Sequence, residues 1–351
     1  MKGFAAAVAL LAAVEVASGV LQGFYTPIFT DIARHLGITD ADLNWFEAAQ
    51  LVVSALCVPL LARLADLVGH KKVLLLATAV TALGSWAIAF APSFSTFLVA
   101  WALQGAYVVW LPIEVAIIYR MTAGSGRQGL LTRRAAAILV GVLETSVIVA
   151  ALSSGLLVGV MPMWALLSIP AVVVTGCLVM IALFLQDLPA TSSGRIDWRG
   201  FGLVTGALGL AMGGLIVLRL DGPSSPWVWA MLASGVGVFV LLWRHSRDLD
   251  EPLVDVRLLA TPAQWPVQLT AFLFGFSVLG AQIPLSTFAR TDPDVVGYGL
   301  GAAASFVSTL IGLYVLSMAL GAFTLPLWSR WLGARNALVL GALLVALGYG
   351  L

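Results

Sequence analysis

Long apolar runs broken by short polar joints set the pattern of this chain. A helical membrane crossing takes about 20 mostly apolar residues. Ten stretches meet that measure, near 4–28, 44–62, 73–91, 96–119, 135–159, 164–186, 200–218, 227–243, 266–289 and 298–325. An eleventh opens near Asn336 and is unfinished at Leu351. Lys2 followed by Phe4–Ala13 mimics a signal peptide, but the apolar stretch continues through Gly19–Ile28, so the reading is an uncleaved first span. With Lys2 on the cytoplasmic side the spans alternate, and all of the 18 Lys and Arg fall on that side except Arg34, Arg219 and Arg290. This bias predicts both the orientation and the number of spans, because one missed helix would scramble it. Trp45, Trp164, Trp227, Trp229, Trp243 and Trp265 stand near span ends, where interfacial aromatics gather.

Composition narrows the class to an all-α membrane protein. The hydrophobic fraction is 61% and mean hydropathy is +1.02. Only 10% of residues are charged, against about 25% in soluble domains. A formal charge of +1 gives no bulk field for nucleic acid. Cys57 and Cys177 fall in apolar runs and read as small core hydrophobes, and His35, His70 and His245 have no ligand spacing, so neither metal nor cofactor is expected. An enzyme is disfavoured by the lack of a His-rich cluster, a Gly-x-Ser-x-Gly or a catalytic pair. A channel is a minor alternative. Val296-Gly297-Tyr298-Gly299 resembles part of a potassium filter, but Asp292-Pro293-Asp294 precedes it where a pore helix is needed.

The candidate chemistry lies in carboxylates placed where they are expensive. Glu15, Glu114 and Glu144 fall inside spans, Glu47 lies near the outer end of the second, and Glu251 is in a loop. A charge at mid-bilayer costs a few kcal/mol or more, so such a group is functional or paired. Helical spacing puts Glu15, Ser18 and Gln22 on one stripe of the first span, and Gln104, Tyr107 and Glu114 on a broad face of the fourth. No Lys or Arg lies mid-span to neutralise them. Carboxylates that take up and release protons are what proton coupling requires, and they could equally bind a cationic substrate. The structural alternative is a carboxylate tied to Ser, Tyr or backbone on a neighbouring helix. Glu47, beside Trp45, reads as a solvated interfacial group. Gln282 and Pro284 add a polar group and a kink to the ninth span.

The loop Leu64-Ala65-Asp66-Leu67-Val68-Gly69-His70-Lys71-Lys72 resembles the signature that joins the second and third helices of major facilitator superfamily transporters. Gly69 permits a tight turn with positive φ, and Lys71 and Lys72 can face anionic lipid. Ala62 stands where the signature usually opens with Gly. Trp328-Ser329-Arg330-Trp331-Leu332-Gly333-Ala334-Arg335 echoes this loop, with Gly333 matching Gly69 and Arg335 matching Lys71. Gln104-Gly105 matches part of a further motif, with Trp101 in place of its basic residue, and Gly155 and Gly159 remain as a small-residue face in the fifth span. Arg195-Ile196-Asp197-Trp198-Arg199-Gly200, Glu251-Pro252-Leu253-Val254-Asp255-Val256-Arg257 and Gly297-Tyr298-Gly299-Leu300-Gly301 are similar to the fourteen-span drug:proton antiporter branch.

The resemblance implies a six-helix half over 1–190, two inserted helices and a linker over 191–264, and an incomplete second half over 265–351. It implies a monomeric multi-pass protein of the cell inner membrane that effluxes small molecules or drugs in exchange for protons. Glu15 and Glu114 would then face a central cavity. The unfinished eleventh span reads as C-terminal truncation, and a non-transporting fragment of such a transporter is the main alternative.

Overall fold

The computed structural model describes residues 2–187, 189–190, 194–279 and 282–350, and among them the fold is helical, without named strands. The first helix α1 (Lys2–Gly23) continues through a 3-10 turn (Thr26–Ile28) into α2 (Phe29–Leu36). Pro27 brings no backbone N–H to this junction, so the run bends there and still extends to Leu36, past the predicted end near Ile28. A second 3-10 turn (Asp40–Leu43) leads into α3 (Asn44–Val68), followed by α4 (His70–Ala89). The fourth span is divided into α5 (Phe94–Gln104), a 3-10 segment (Gly105–Val109) and α6 (Trp110–Met121). Then come α7 (Gln128–Leu157), α8 (Met163–Phe184), α9 (Trp198–Asp221) and α10 (Pro226–Arg247).

These runs supply eight stretches long and apolar enough to cross a membrane among the described residues, and they coincide with the first eight predicted spans. The next predicted span is divided among α12 (Trp265–Phe274), a π turn (Gly275–Leu279) and α13 (Gln282–Arg290), after the short α11 (Val256–Leu259). Beyond α14 (Pro293–Val296), α15 (Ala304–Leu332) and α16 (Ala334–Gly350) fall on the predicted tenth and eleventh stretches. Their described residues hold shorter apolar helices, 304–318 and 335–348.

Polar contacts gather at two ends of the bundle, as alternating spans require. At one end Arg63 pairs with Glu251, Arg120 meets His70 Nδ1 at 3.1 Å, and Lys71 Nζ donates to the Ala182 carbonyl at 3.1 Å. At the other, Arg219 pairs with Asp42 at 2.8 Å and Arg290 with Asp31 at 2.7 Å. Arg219 also lies over the Trp45 ring, 4.9 Å from its centroid, which anchors that interfacial aromatic by a cation–π contact.

Small residues decide the closest packing. The contact of α1 is most extensive with α7. Gly19 and Gly23, four apart, face it so closely that a Cβ at either would overlap α7 around Leu143 to Val147. Gly155 packs likewise on Ser308 of α15. The predicted pairing of Gly155 with Gly159 does not hold. Gly159 lies beyond the end of α7 with φ 85° and open space around it, so it serves a turn and no helix face.

The pair α9–α10 packs chiefly on itself and buries little of its surface. Its fastening explains the Arg195–Gly200 motif. Asp197 caps α9 by accepting from the Gly200 amide at 2.8 Å, and it also meets His245 Nε2 of α10 at 2.9 Å. Burial alone would raise the Asp197 pKa. The hydrogen bonds from His245 and from the Gly200 and Leu253 amides outweigh that and hold it below the usual carboxylate range. A depressed folded pKa means the stabilisation is whole above the unfolded value of about 4 and is lost as pH falls through the folded one. Protection of the amides at the start of α9, relative to their intrinsic exchange rate at each pH, should therefore fall in acid below about pH 4. Asp197→Ala should bring the same loosening to neutral pH, at a cost of about 1 kcal/mol for the lost cap. Protection in the native chain that stays constant through this acid range would contradict this.

Candidate functional site

A cavity of about 300 Å³ opens among α1, the break after it, α3 and the divided fourth span. Its polar wall is made by Ser18 and Gln22 of α1, Glu47, Gln50 and Ser54 of α3, and Tyr107 of the 3-10 segment. The spacing explains the wall. Ser18 and Gln22 are one turn apart, and Gln22 Nε2 donates to Ser18 Oγ at 3.2 Å. Glu47, Gln50 and Ser54 follow at spacings of three and four along one face of α3. Ser54 Oγ donates to the Gly105 carbonyl at 2.9 Å, and a Cβ on Gly105 would overlap α3 at Gln50 and Ser54. Gln104-Gly105 thus works as a close-approach point, and the 3-10 segment that follows brings Tyr107 to the cavity.

The apolar floor is aromatic. Trp101 is buried with its ring 4.7 Å from that of Tyr25 and 5.8 Å from that of Phe97. It fills the position where the resemblance expects a basic residue, and it, Tyr25 and Phe29 all line the cavity.

Behind the Ser18 side lie the two most buried carboxylates. Glu15 and Glu114 are 0% exposed. Ser18 and Glu114 are the neighbours of Glu15. All four carboxylate oxygens of Glu15 and Glu114 are buried, and no hydrogen bond from a described residue reaches them. Predicted from separate spans, Glu15 and Glu114 are brought together. They do not line the cavity itself, as had been expected. They sit one layer behind it, with Ser18 between.

The other predicted residues divide. Gln22 and Tyr107 line the cavity. Gln104 does not: its amide nitrogen donates inward to Tyr25 Oη at 3.1 Å and Ser85 Oγ at 2.9 Å, so it braces the aromatic floor. Glu144 is half-buried on α7, outside the lining, with no hydrogen bond or ion pair to the Glu15–Glu114 pair among the described residues. Gln282 opens α13, and its side chain lies outside what the structure describes. Glu47, read from sequence as a solvated interfacial group, lines the cavity. Gln50, Ser54 and Tyr25 were missed. The i, i+4 pairing of Gln50 with Ser54 inside an apolar run was the available signal.

The sequence profile described as Major Facilitator Superfamily matches residues 11–351. The chain belongs to this superfamily. A uridine/deoxyuridine transporter of Lactococcus lactis subsp. cremoris (strain MG1363) is 24% identical over 354 residues, covering 97% of this chain and 72% of that protein. Multidrug resistance protein Stp of Mycobacterium tuberculosis (strain CDC 1551 / Oshkosh) is 23% identical over 297 residues, covering 80% of this chain. This match spans 53%, about half, of the length of Stp. A solved structure of the human organic anion transporter MFSD10 (TETRAN) aligns over 99% of this chain at 17% identity with a TM-score of 0.43. The superfamily is one of transporters, not enzymes.

Within the superfamily chain, the loop motif has the geometry its residues allow. Gly69 takes φ 108° and its amide closes α3 on the Ala65 carbonyl at 3.0 Å. Gly333 takes φ 79° in the echoing loop. Asp66 lies 3.9 Å from His70 Nε2, whose other ring nitrogen meets Arg120. Lys71 reaches the end of α8, while Lys72 and Arg335 are exposed.

Proposed function

We propose that this protein is a secondary active transporter that couples small-molecule movement to protons through the Glu15–Glu114 pair. The observation that carries this is the juxtaposition of two fully buried carboxylates, without a hydrogen-bond donor or cation among the described residues, one layer behind a polar cavity. Two like charges at such a site cannot both persist, and one shared proton satisfies both groups. A substrate in the cavity touches Ser18, and Ser18 touches Glu15, so occupancy and protonation act on each other. Rocking of two halves about a central site would then expose the cavity to each side in turn.

The finer reading is an efflux antiporter of the fourteen-span branch, monomeric in the inner membrane with the N-terminus cytoplasmic. The charge bias of the joints supports the orientation. The hairpin α9–α10, set between six preceding spans and the remainder, supports the branch and the predicted division at 190 and 264. The Stp relative supports efflux, whereas the uridine/deoxyuridine relative favours a nucleoside as cargo.

The test is uptake into proteoliposomes under an imposed pH gradient, with uridine and 1-methyl-4-phenylpyridinium as parallel cargoes. Accumulation of either one that collapses with a protonophore is expected. Accumulation of either that is indifferent to the protonophore would reject proton coupling, and accumulation of neither would reject transport of these two cargo classes.

A further inference from the structure

The cavity carries one formal charge, and that charge has no partner among the described residues. Glu47 is the only Asp, Glu, Lys, Arg or His among the lining residues. No hydrogen bond or ion pair joins it to any described residue. Arg219, which lies over the nearby Trp45 ring, is committed to Asp42 at 2.8 Å. Glu47 is half-buried, so solvent reaches it only in part. A carboxylate held in such a place costs free energy unless something else completes it.

The surfaces around Glu47 specify what could do so. Tyr25, Phe29, Trp101 and Tyr107 offer aromatic surface within the same cavity. Aromatic rings beside a carboxylate attract an organic cation twice, through the charge and through the ring quadrupole. They give nothing to an anion, for which the lining has no cation. Gln22 and Gln50 add amides that can orient a polar substituent. A volume of about 300 Å³ is at the small end of ligand pockets and suits a molecule of one or two rings.

We propose that this cavity is a binding site for a small aromatic organic monocation, with Glu47 as its counter-ion and the Tyr25–Phe29–Trp101–Tyr107 surface as its apolar seat. This names the substrate class of the transporter reading and rests on that reading. A neutral nucleoside is the competing occupant, and the experiment separates the two.

The experiment measures equilibrium binding to the solubilised full chain at pH 8, with no gradient. The probes are 1-methyl-4-phenylpyridinium, a permanent cation; 4-phenylpyridine, its near-isosteric neutral counterpart; and uridine. The cation should bind at least about ten-fold more tightly than the neutral counterpart, a difference of about 1.4 kcal/mol. Glu47→Gln should erase that preference and Glu47→Asp should restore part of it. Leu51→Trp, which fills the cavity from a partly exposed lining position, should abolish cation binding without touching the charge. Equal binding of charged and neutral probes, or an unchanged cation affinity in Glu47→Gln, would overturn the proposal, as would uridine binding in the cavity to the exclusion of the cation. Because binding is read without a gradient, the outcomes stay distinct. A chain that binds the cation but moves no proton refutes the coupling and leaves this site standing. A chain that couples protons to uridine and ignores the cation does the reverse.

Discussion

Glu114→Gln should reduce pH-driven accumulation of cargo to simple equilibration. For one proton exchanged per substrate, a gradient of one pH unit supports about a ten-fold accumulation, since about 1.4 kcal/mol corresponds to ten-fold. The amide keeps the shape of the carboxyl but cannot carry the proton. Glu114 is chosen over Glu15 because it is buried without Ser18 as a neighbour and faces Glu15 directly. The amide also supplies the donor that the buried Glu15 oxygens lack, so the folded protein should be retained or stabilised. Two readings decide the matter in proteoliposomes. Cargo exchange without a gradient should persist, because the cavity is untouched, while the accumulation ratio should fall toward one. An accumulation ratio equal to that of the native protein would remove Glu114 from the coupling mechanism. A lost exchange rate with an intact ratio would make it a packing residue instead.

How much of this site could be read beforehand depends on which part of it is periodic. Glu15, Ser18 and Gln22 share a stripe of one straight helix, and the structure keeps that stripe. The fourth span is not straight, and there helical spacing misleads. Gly105–Val109 winds as a 3-10 segment with about three residues per turn, so each residue rotates further than in an α-helix. Gln104 and Tyr107, expected on one face with Glu114, therefore part company: Gln104 turns inward to Tyr25 and Ser85, and Tyr107 reaches the cavity. The cost of burying carboxylates pointed to Glu15 and Glu114, which are both buried, but a burial argument cannot say that they face each other. That follows only once α1 and α6 are packed together. Glu47, read as a solvated interfacial group, lines the cavity instead. Its distance from mid-bilayer was legible, whereas the chain bend at Thr26–Ile28 that brings Tyr25 and Phe29 beside it was not. The first eight spans were legible because length and apolarity alone decide them. The ninth was less so, since a π turn at Gly275–Leu279 divides it in a way no hydropathy window resolves.

Arg290→Ala should open the end of the bundle where α13 meets α2. Arg290 clasps Asp31 through both terminal nitrogens, Nη1 to Oδ2 at 2.7 Å and Nη2 to Oδ1 at 3.2 Å, and Nη1 also donates to the Pro27 carbonyl at 3.0 Å. Ser286 Oγ donates to the Thr26 carbonyl at 2.7 Å one turn earlier on α13. The pair is largely enclosed, with side-chain exposures of 8% for Arg290 and 18% for Asp31. Fork-shaped pairing of this kind is geometrically specific. Removing Arg290 leaves the largely enclosed Asp31 with its 3.5 Å contact to the exposed Arg34, at a cost of up to about 3 kcal/mol in the closed arrangement. The open arrangement hydrates Asp31 and bears no such cost, so the equilibrium should move by up to about 150-fold. Thr26 and Phe29, immediately beneath the clasp, line the cavity, which ties the opening to access for cargo. Spin labels at His35→Cys on α2 and Asp294→Cys on α14, both exposed, report the separation of α2 from the α13–α14 end in a protein lacking Cys57 and Cys177. Arg290→Ala should transfer most of the distance distribution to a longer component. The exchanged pair Asp31→Arg with Arg290→Asp should return it to the short one, which a merely destabilised helix end would not do. A distribution unaltered by Arg290→Ala would show that Ser286 and the apolar contacts hold this end shut without the ion pair.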